Sequence, residues 1–292
     1  MPRSATIFAL ITISLWSFLA YLASRLTHLP PFLVVGIALC IGGLVGIYQF
    51  RNWRVPLKTF LVGLAGLFGY HFLLFTAFQN APTVEANSIN YLWPLLIVLL
   101  SPVYLPGYKL KLHHILGALI GLAGAGLVIS GGHLSLDMAN LKGYLLAGAA
   151  ALVWASYSLL TKRLPPFPTA AVGGFCLTSG IISLGFYELT SLSSGQAPVS
   201  LSLQDWLFLV LIGIGPMGIA FFTWDAALKR GDPRIIGSLT YVTPFFSTLV
   251  LVLLGGRSLS WVAGIAILLI VSGAVVGSLD TFRVRDRQPA AL

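Results

Sequence analysis

The sequence predicts an all-α integral membrane protein, with ten transmembrane helices in two inverted five-helix repeats around a central cavity. Three observations carry the prediction: an apolar composition, ten apolar runs of spanning length, and an internal repeat. Apolar residues make up 57% of the chain and charged residues 9%, and the mean hydropathy is +0.93, well outside the balance of a soluble domain. A formal net charge of +9 would also suit nucleic acid. The basic residues, however, stand singly or in small clusters between apolar runs, where they act as membrane anchors. The expected partner is therefore the lipid bilayer and not nucleic acid.

A helix needs about 20 mostly apolar residues to cross a hydrocarbon core about 30 Å thick. Cutting at charges and prolines gives spans 5–23, 32–50, 57–78, 84–104 and 112–131 in a first half, residues 1–139. The second half, residues 140–292, holds spans 142–162, 168–190, 204–227, 234–254 and 259–279 and ends in a cytoplasmic tail. The longest connections, 132–141 and 191–203, are too short for a soluble domain, so the helices themselves must perform the function. Fourteen of the 17 Lys and Arg residues fall on one side; Arg25, Lys142 and Arg257 fall on the other. The side with the basic excess includes Arg283, Arg285 and Arg287, so both termini are expected in the cytoplasm. The first span could pass for a signal peptide, but its counterpart later in the chain argues for a retained helix.

That counterpart is part of the repeat. LWSFLAYLASRL places Trp16 and Arg25 where VWASYSLLTKRL places Trp154 and Arg163, a shift of 138. Spans 3 and 4 map onto 8 and 9 at a shift of 150, pairing Gly63 with Gly213, Phe72 with Phe222, Ser88 with Ser238, Tyr91 with Tyr241 and Pro94 with Pro244. Five spans per copy, an odd number, make the second copy enter the membrane from the opposite side. Inverted copies can exchange roles and so expose one central site alternately to each face, as carriers require.

The segment NYLWP locates that site. A proline inside a helix offers no N–H and frees the carbonyl four residues back, which belongs to Asn90 for Pro94 and to Thr240 for Pro244. A freed carbonyl is costly against lipid and should turn inward. Asn87, Asn90, Tyr91 and Pro94 form one helical stripe, matched by Gly237, Thr240, Tyr241 and Pro244. Pro94 and Pro244 are the expected hinges, with the two kinks facing one another. Trp16, Trp154, Tyr157 and Ser158 would add aromatic wall and hydroxyl groups for a partly aromatic solute. Trp93 lies off the polar stripe, which leaves its orientation open. His71, deep in span 3 with Phe75 nearby, is either functional or a neutral imidazole bonded to a neighbouring helix. Asp225 and Lys229 read as an i,i+4 anchoring pair at the interface, and Glu85 and Glu188 as solvated span ends. Because carboxylates deep in the membrane are scarce, facilitated diffusion is favoured over tight proton coupling.

Cys40 and Cys176 lie in apolar runs and behave as small hydrophobes; no metal or cofactor is expected. Gly117, Gly121, Gly124 and Gly126 in span 5, and Gly264, Gly273 and Gly277 in span 10, would let helices approach closely and brace each half. Such packing within a monomer is favoured over a homodimer. A membrane enzyme is disfavoured, since no nucleophile, base and orienting group occur at usable spacing. A carrier for nucleotide sugars or phosphorylated solutes would need a basic residue deep in the membrane, and a receptor or assembly subunit would need larger loops.

With these residues in hand, the chain resembles the drug/metabolite transporter superfamily of EamA type, and within it the bacterial aromatic amino-acid exporters. The likeness rests on the paired Trp16 and Trp154, the two five-helix halves and the segment VEANSINYLWPLL. It implies efflux of amino acids across a bacterial inner membrane through a central cavity between the halves, with Asn90, Tyr91, Trp93 and Pro94 at or beside it. An ammonium group on the carbonyls of Asn90 and Thr240 is the corresponding expectation for binding.

Overall fold

In the computed structural model, residues 1–133, 136–195, 199–255, 261–277 and 279 are described. Arg257, Arg283, Arg285, Arg287 and part of the expected span 259–279 lie outside them. The described chain is all-helical, and eight of its helical segments are long and apolar enough to cross a membrane. In order these are α1 (Arg3–Ser24); α3 (Leu57–Leu64) with α4 (Tyr70–Asn80); α5 (Thr83–Asn90) with α6 (Trp93–Tyr104); α7 (Leu112–Ser130); α8 (Leu141–Arg163); α9 (Ala171–Ser194); α10 (Leu203–Ile214) with α11 (Ala220–Arg230); and α12 (Pro233–Leu239) with α13 (Val242–Gly255). Two shorter elements complete the bundle, α2 (Pro31–Val45) and α14 (Trp261–Gly277).

The expected span 32–50 is overrun. Helix α2 stops at Val45, and the chain bends by 87° into a 3₁₀ segment, Ile47–Trp53. Gly46 sits at the corner, where a side chain would strike the ring of Phe222. Tyr48, Phe50 and Arg51 then lie exposed, the composition of an interfacial segment, and the Trp53 indole covers Gly173.

Close approach at glycines sets the helix pairs. Helix α2 lies against α9, where a Cβ on Gly180 would come 2.7 Å from the Gly36 carbonyl and one on Gly43 would come 2.8 Å from that of Gly173. Helix α7 lies against α14 in the same way, a Cβ on Gly273 falling 2.6 Å from the backbone nitrogen of Gly121. Gly117, Gly121, Gly273 and Gly277 thus meet between α7 and α14, one from each half, and Gly277 also rests on Ser238 of its own half. They give backbone contact where lipid supplies no hydrophobic drive for association.

Two irregularities recur 150 residues apart. One turn of π-helix covers Ala65–Gly69 between α3 and α4, and another covers Gly215–Ile219 between α10 and α11. The helix pairs α5–α6 and α12–α13 are each broken, at Tyr91–Leu92 and at Thr240–Tyr241. At the breaks the prolines start helices and do not kink their interiors: Pro94 is the second residue of α6 and Pro244 the third of α13, where a missing N–H costs nothing. The broken segments meet, since Gly237 of α12 rests against the Pro94 carbonyl and Ile97 of α6.

Candidate functional site

The helices enclose a cavity of about 400 Å³. Four indoles cluster at one end of it: Trp16 lies 6.1 Å from Trp93, 6.0 Å from Trp154 and 5.3 Å from Trp224 between ring centroids. Phe221 closes the cluster 5.7 Å from Trp154. Their orientation is set by hydrogen bonds. The Trp16 indole donates to the Pro216 carbonyl at 3.1 Å, inside the second π turn, and the Trp224 indole donates to Ser158 Oγ at 3.1 Å. Trp93, whose direction the stripe analysis left open, is buried and lines the cavity.

One wall is aromatic and polar. His71 Nδ1 bonds the Leu67 carbonyl at 2.6 Å, one turn back in its own helix. Because a carbonyl only accepts, Nδ1 carries the proton there, which leaves Nε2 as the group to face a solute. Phe75 stacks on the imidazole at 6.3 Å. Asn90 Nδ2 donates to Tyr70 Oη at 3.2 Å, and both residues line the cavity with Asn87 and Tyr91. Asn90 Oδ1 and Thr243 Oγ1 are buried without a hydrogen-bond partner among the described residues, and both residues line the same space.

Of the sequence candidates, the cavity therefore gathers Trp16, His71, Phe75, Asn87, Asn90, Tyr91, Trp93 and Trp154. Four others stand behind its wall. Tyr157 packs 5.5 Å from Trp154, and Ser158 holds Trp224. Tyr241 is fully buried with its ring against Gly121 of α7. Thr240 turns its hydroxyl back to the Gly237 carbonyl at 2.6 Å, and its own carbonyl is taken by the Thr243 N–H at 2.9 Å. The expected free carbonyl at Thr240 is thus satisfied by a 3₁₀ bond that tightens the break.

Sequence reasoning passed over Tyr70, Phe221, Trp224 and Thr243. Phe221 and Thr243 stand 150 positions after His71 and Trp93, so the repeat already marked them, whereas Trp224 stands opposite Leu74, which no sequence signal singled out. Tyr70 carried no such signal, because the π turn before it rotates the helix by one extra residue, about 100°.

The two ends of the cavity differ. Ala23 in the last turn of α1, Phe78 near the end of α4 and Thr83 at the start of α5 line one end. Beyond the indoles the opposite end is tied shut. Asp225 Oδ2 accepts from Thr169 Oγ1 at 2.6 Å and from Lys229 Nζ at 2.7 Å. Lys229 also donates to the Phe167 carbonyl at 2.9 Å and sits 3.5 Å over the Phe167 ring. Lys162 Nζ donates to the carbonyls of Leu228 and Gly231. Asp225 is 1% exposed, so beyond its i,i+4 pairing with Lys229 it ties α11 to the segment before α9. Among the described residues, the lining holds no Asp, Glu, Lys or Arg. Among the described residues no three His, Cys, Asp or Glu side chains gather as a metal site would need.

Comparison with known proteins adds the following. The profile of the EamA-like transporter family matches residues 3–130 and 141–279. The chain is 42% identical to the aromatic amino acid exporter YddG of Ancylobacter novellus, over 94% of this chain and 97% of that protein. It is 26% identical to the aromatic amino acid exporter YddG of Escherichia coli, over 96% of this chain and 99% of that one. A solved crystal structure at 41% identity superposes with a TM-score of 0.90, covering 97% of this chain and 99% of the other.

Proposed function

The chain belongs to the EamA-like transporter family, and from that premise we propose that it is a carrier exporting amino acids, aromatic and other neutral ones, across a bacterial inner membrane. The observation that most supports this is the cavity: aromatic walls, buried amide and hydroxyl groups, and no Asp, Glu, Lys or Arg among the described lining residues. Such a site suits a solute that is apolar at one end and carries balanced charges at the other. The names of the similar exporters supply the class, amino acids, and the direction, outward.

The architecture belonging to this reading is ten spans in two inverted halves, 1–139 and 140–292, with both termini cytoplasmic, acting as a monomer. The π turns and helix breaks 150 residues apart support it, as does the matching of each half by one family profile. With that orientation the cavity faces outward, since Ala23, Phe78 and Thr83 lie at outer span ends. Opening inward requires the helices tied by Asp225, Lys229 and Lys162 to part while the outer ends close. Pro94 and Pro244 at the helix breaks are the hinges. The contact residues are Trp16, His71, Phe75, Asn87, Asn90, Tyr91, Trp93 and Trp154. Tyr157, Ser158, Thr240 and Tyr241 act from behind, by holding the wall. Absence of a carboxylate from the lining favours facilitated diffusion; His71 is the residue through which a proton-coupled cycle would run instead.

The test is uptake of labelled Phe, Thr, Lys and Glu into proteoliposomes, with and without a pH gradient. Uptake of Phe and Thr unaffected by the gradient is the expected outcome. Failure to move any amino acid removes the reading, and uptake that requires the gradient replaces facilitated diffusion with proton coupling. Replacing both hinges, Pro94→Ala with Pro244→Ala, should cut the rate strongly; an unchanged rate would take the breaks out of the transport cycle.

A further inference from the structure

Two buried polar atoms face the cavity with nothing to bond. Asn90 is 3% exposed and Thr243 5% exposed, yet Asn90 Oδ1 and Thr243 Oγ1 have no partner among the described residues. A buried polar atom left unpaired is destabilising, so in a site built to hold a solute the solute is what satisfies it. Their positions differ in one respect. Asn90 is the last residue of α5 (Thr83–Asn90), and Thr243 is the second residue of α13 (Val242–Gly255).

A helix carries partial negative charge at its C-terminal end and partial positive charge at its N-terminal end. Broken membrane helices use those ends to hold charged solute groups. Asn90 Oδ1 can only accept a hydrogen bond, and it sits at a negative end; its amide nitrogen is already committed to Tyr70 Oη. The Thr243 hydroxyl can donate, and it sits at a positive end. Its backbone N–H is occupied by the Thr240 carbonyl, which leaves the side chain to act. The residues are not repeat counterparts, since Asn90 corresponds to Thr240 and Thr243 to Trp93, so the two breaks offer different chemistry.

We propose that the cavity orients a zwitterion, with Asn90 Oδ1 receiving the ammonium group and the Thr243 hydroxyl donating to the carboxylate. This rests on the amino-acid reading above and specifies which of the chain's atoms hold each end. It replaces the pair of backbone carbonyls expected from the prolines, since that of Thr240 is already bonded. The aromatic side chain of the solute then lies toward the tryptophan cluster.

Quenching of the clustered tryptophans provides the readout, with purified full-length protein and three ligands: phenylalanine, 2-phenylethylamine, which lacks the carboxylate, and 3-phenylpropionate, which lacks the ammonium. Asn90→Leu should weaken phenylalanine and phenylethylamine about tenfold or more, the scale of a lost hydrogen bond to a charged group, and leave phenylpropionate unchanged. Thr243→Val, a near-isosteric change, should weaken phenylalanine and phenylpropionate and leave phenylethylamine unchanged. Asn90→Asp should tighten phenylethylamine, which keeps the assignment open to test if the leucine variant fails to fold. Equal weakening of all three ligands by each variant, or no effect from any, overturns the assignment while phenylalanine binding by the unaltered protein preserves the amino-acid reading. If the unaltered protein binds no phenylalanine, both fall.

Discussion

Positions 150 residues apart treat the two ends of the bundle in opposite ways. Phe75 and Gln79 sit on α4; Asp225 and Lys229 occupy the corresponding places on α11. Phe75 lines the cavity and meets only the rings of Phe32, His71 and Phe78 among the described aromatic contacts, the ion pair at its end being the peripheral one between His28 and Asp205, whereas Asp225 and Lys229 bind α11 to Thr169 and Phe167 and close theirs. The helical frame is the same in both places: a π turn five residues long precedes α4 and α11 alike. Side-chain chemistry on a repeated frame therefore decides which end is shut.

The largest effect is expected where the tie is cut. Asp225→Leu would leave Lys229 partly buried without its carboxylate, a change that typically costs about 3–5 kcal/mol. A clear fall in the melting temperature of the purified protein is the result expected. A melting temperature within error of the original would mean that the closed end is held by packing alone.

Chemical access sharpens the same contrast. A cysteine at Phe78 should react rapidly with a membrane-impermeant maleimide added outside cells, and a cysteine at Thr169 should resist it from either side. Equal labelling of the two positions would erase the distinction between the ends. The native Cys176 is buried and Cys40 half-buried, so the unaltered protein provides the background.

At the open end the smallest effect is expected. Phe75→Leu should change stability by no more than about 1.5 kcal/mol, as volume-similar apolar exchanges do, while loosening the wall beside His71. A loss as large as that of Asp225→Leu would show that Phe75 bears structure and not only lining.

Much of the helical pattern was legible in the chain itself. Apolar runs bounded by charge and proline mark where helices cross, because backbone groups in lipid must be paired within a helix. The shift of 150 told where irregularities would recur, and Asn87 and Asn90 of the predicted stripe line the cavity on a regular stretch of α5, with Tyr91 beside them at the break. Tyr241 was expected at the cavity and Tyr70 passed over for one reason. Periodicity assigns residues to faces of a single helix, but which face meets the cavity depends on rotations introduced at π turns and breaks. Tyr241 follows such a break and packs on Gly121; Tyr70 follows a π turn and faces the cavity.

The sequence by itself determined a membrane-embedded helical protein with two broken helices and an aromatic, weakly charged interior, since hydropathy and proline act locally along the chain. Only the tertiary structure decided that Asn90 and Thr243 present unpaired atoms to one space, that the Thr240 carbonyl is already bonded, and that Asp225 locks one end. Each of these depends on neighbours far apart in the chain, and the burial that leaves a polar atom wanting or satisfied exists only after the helices have packed.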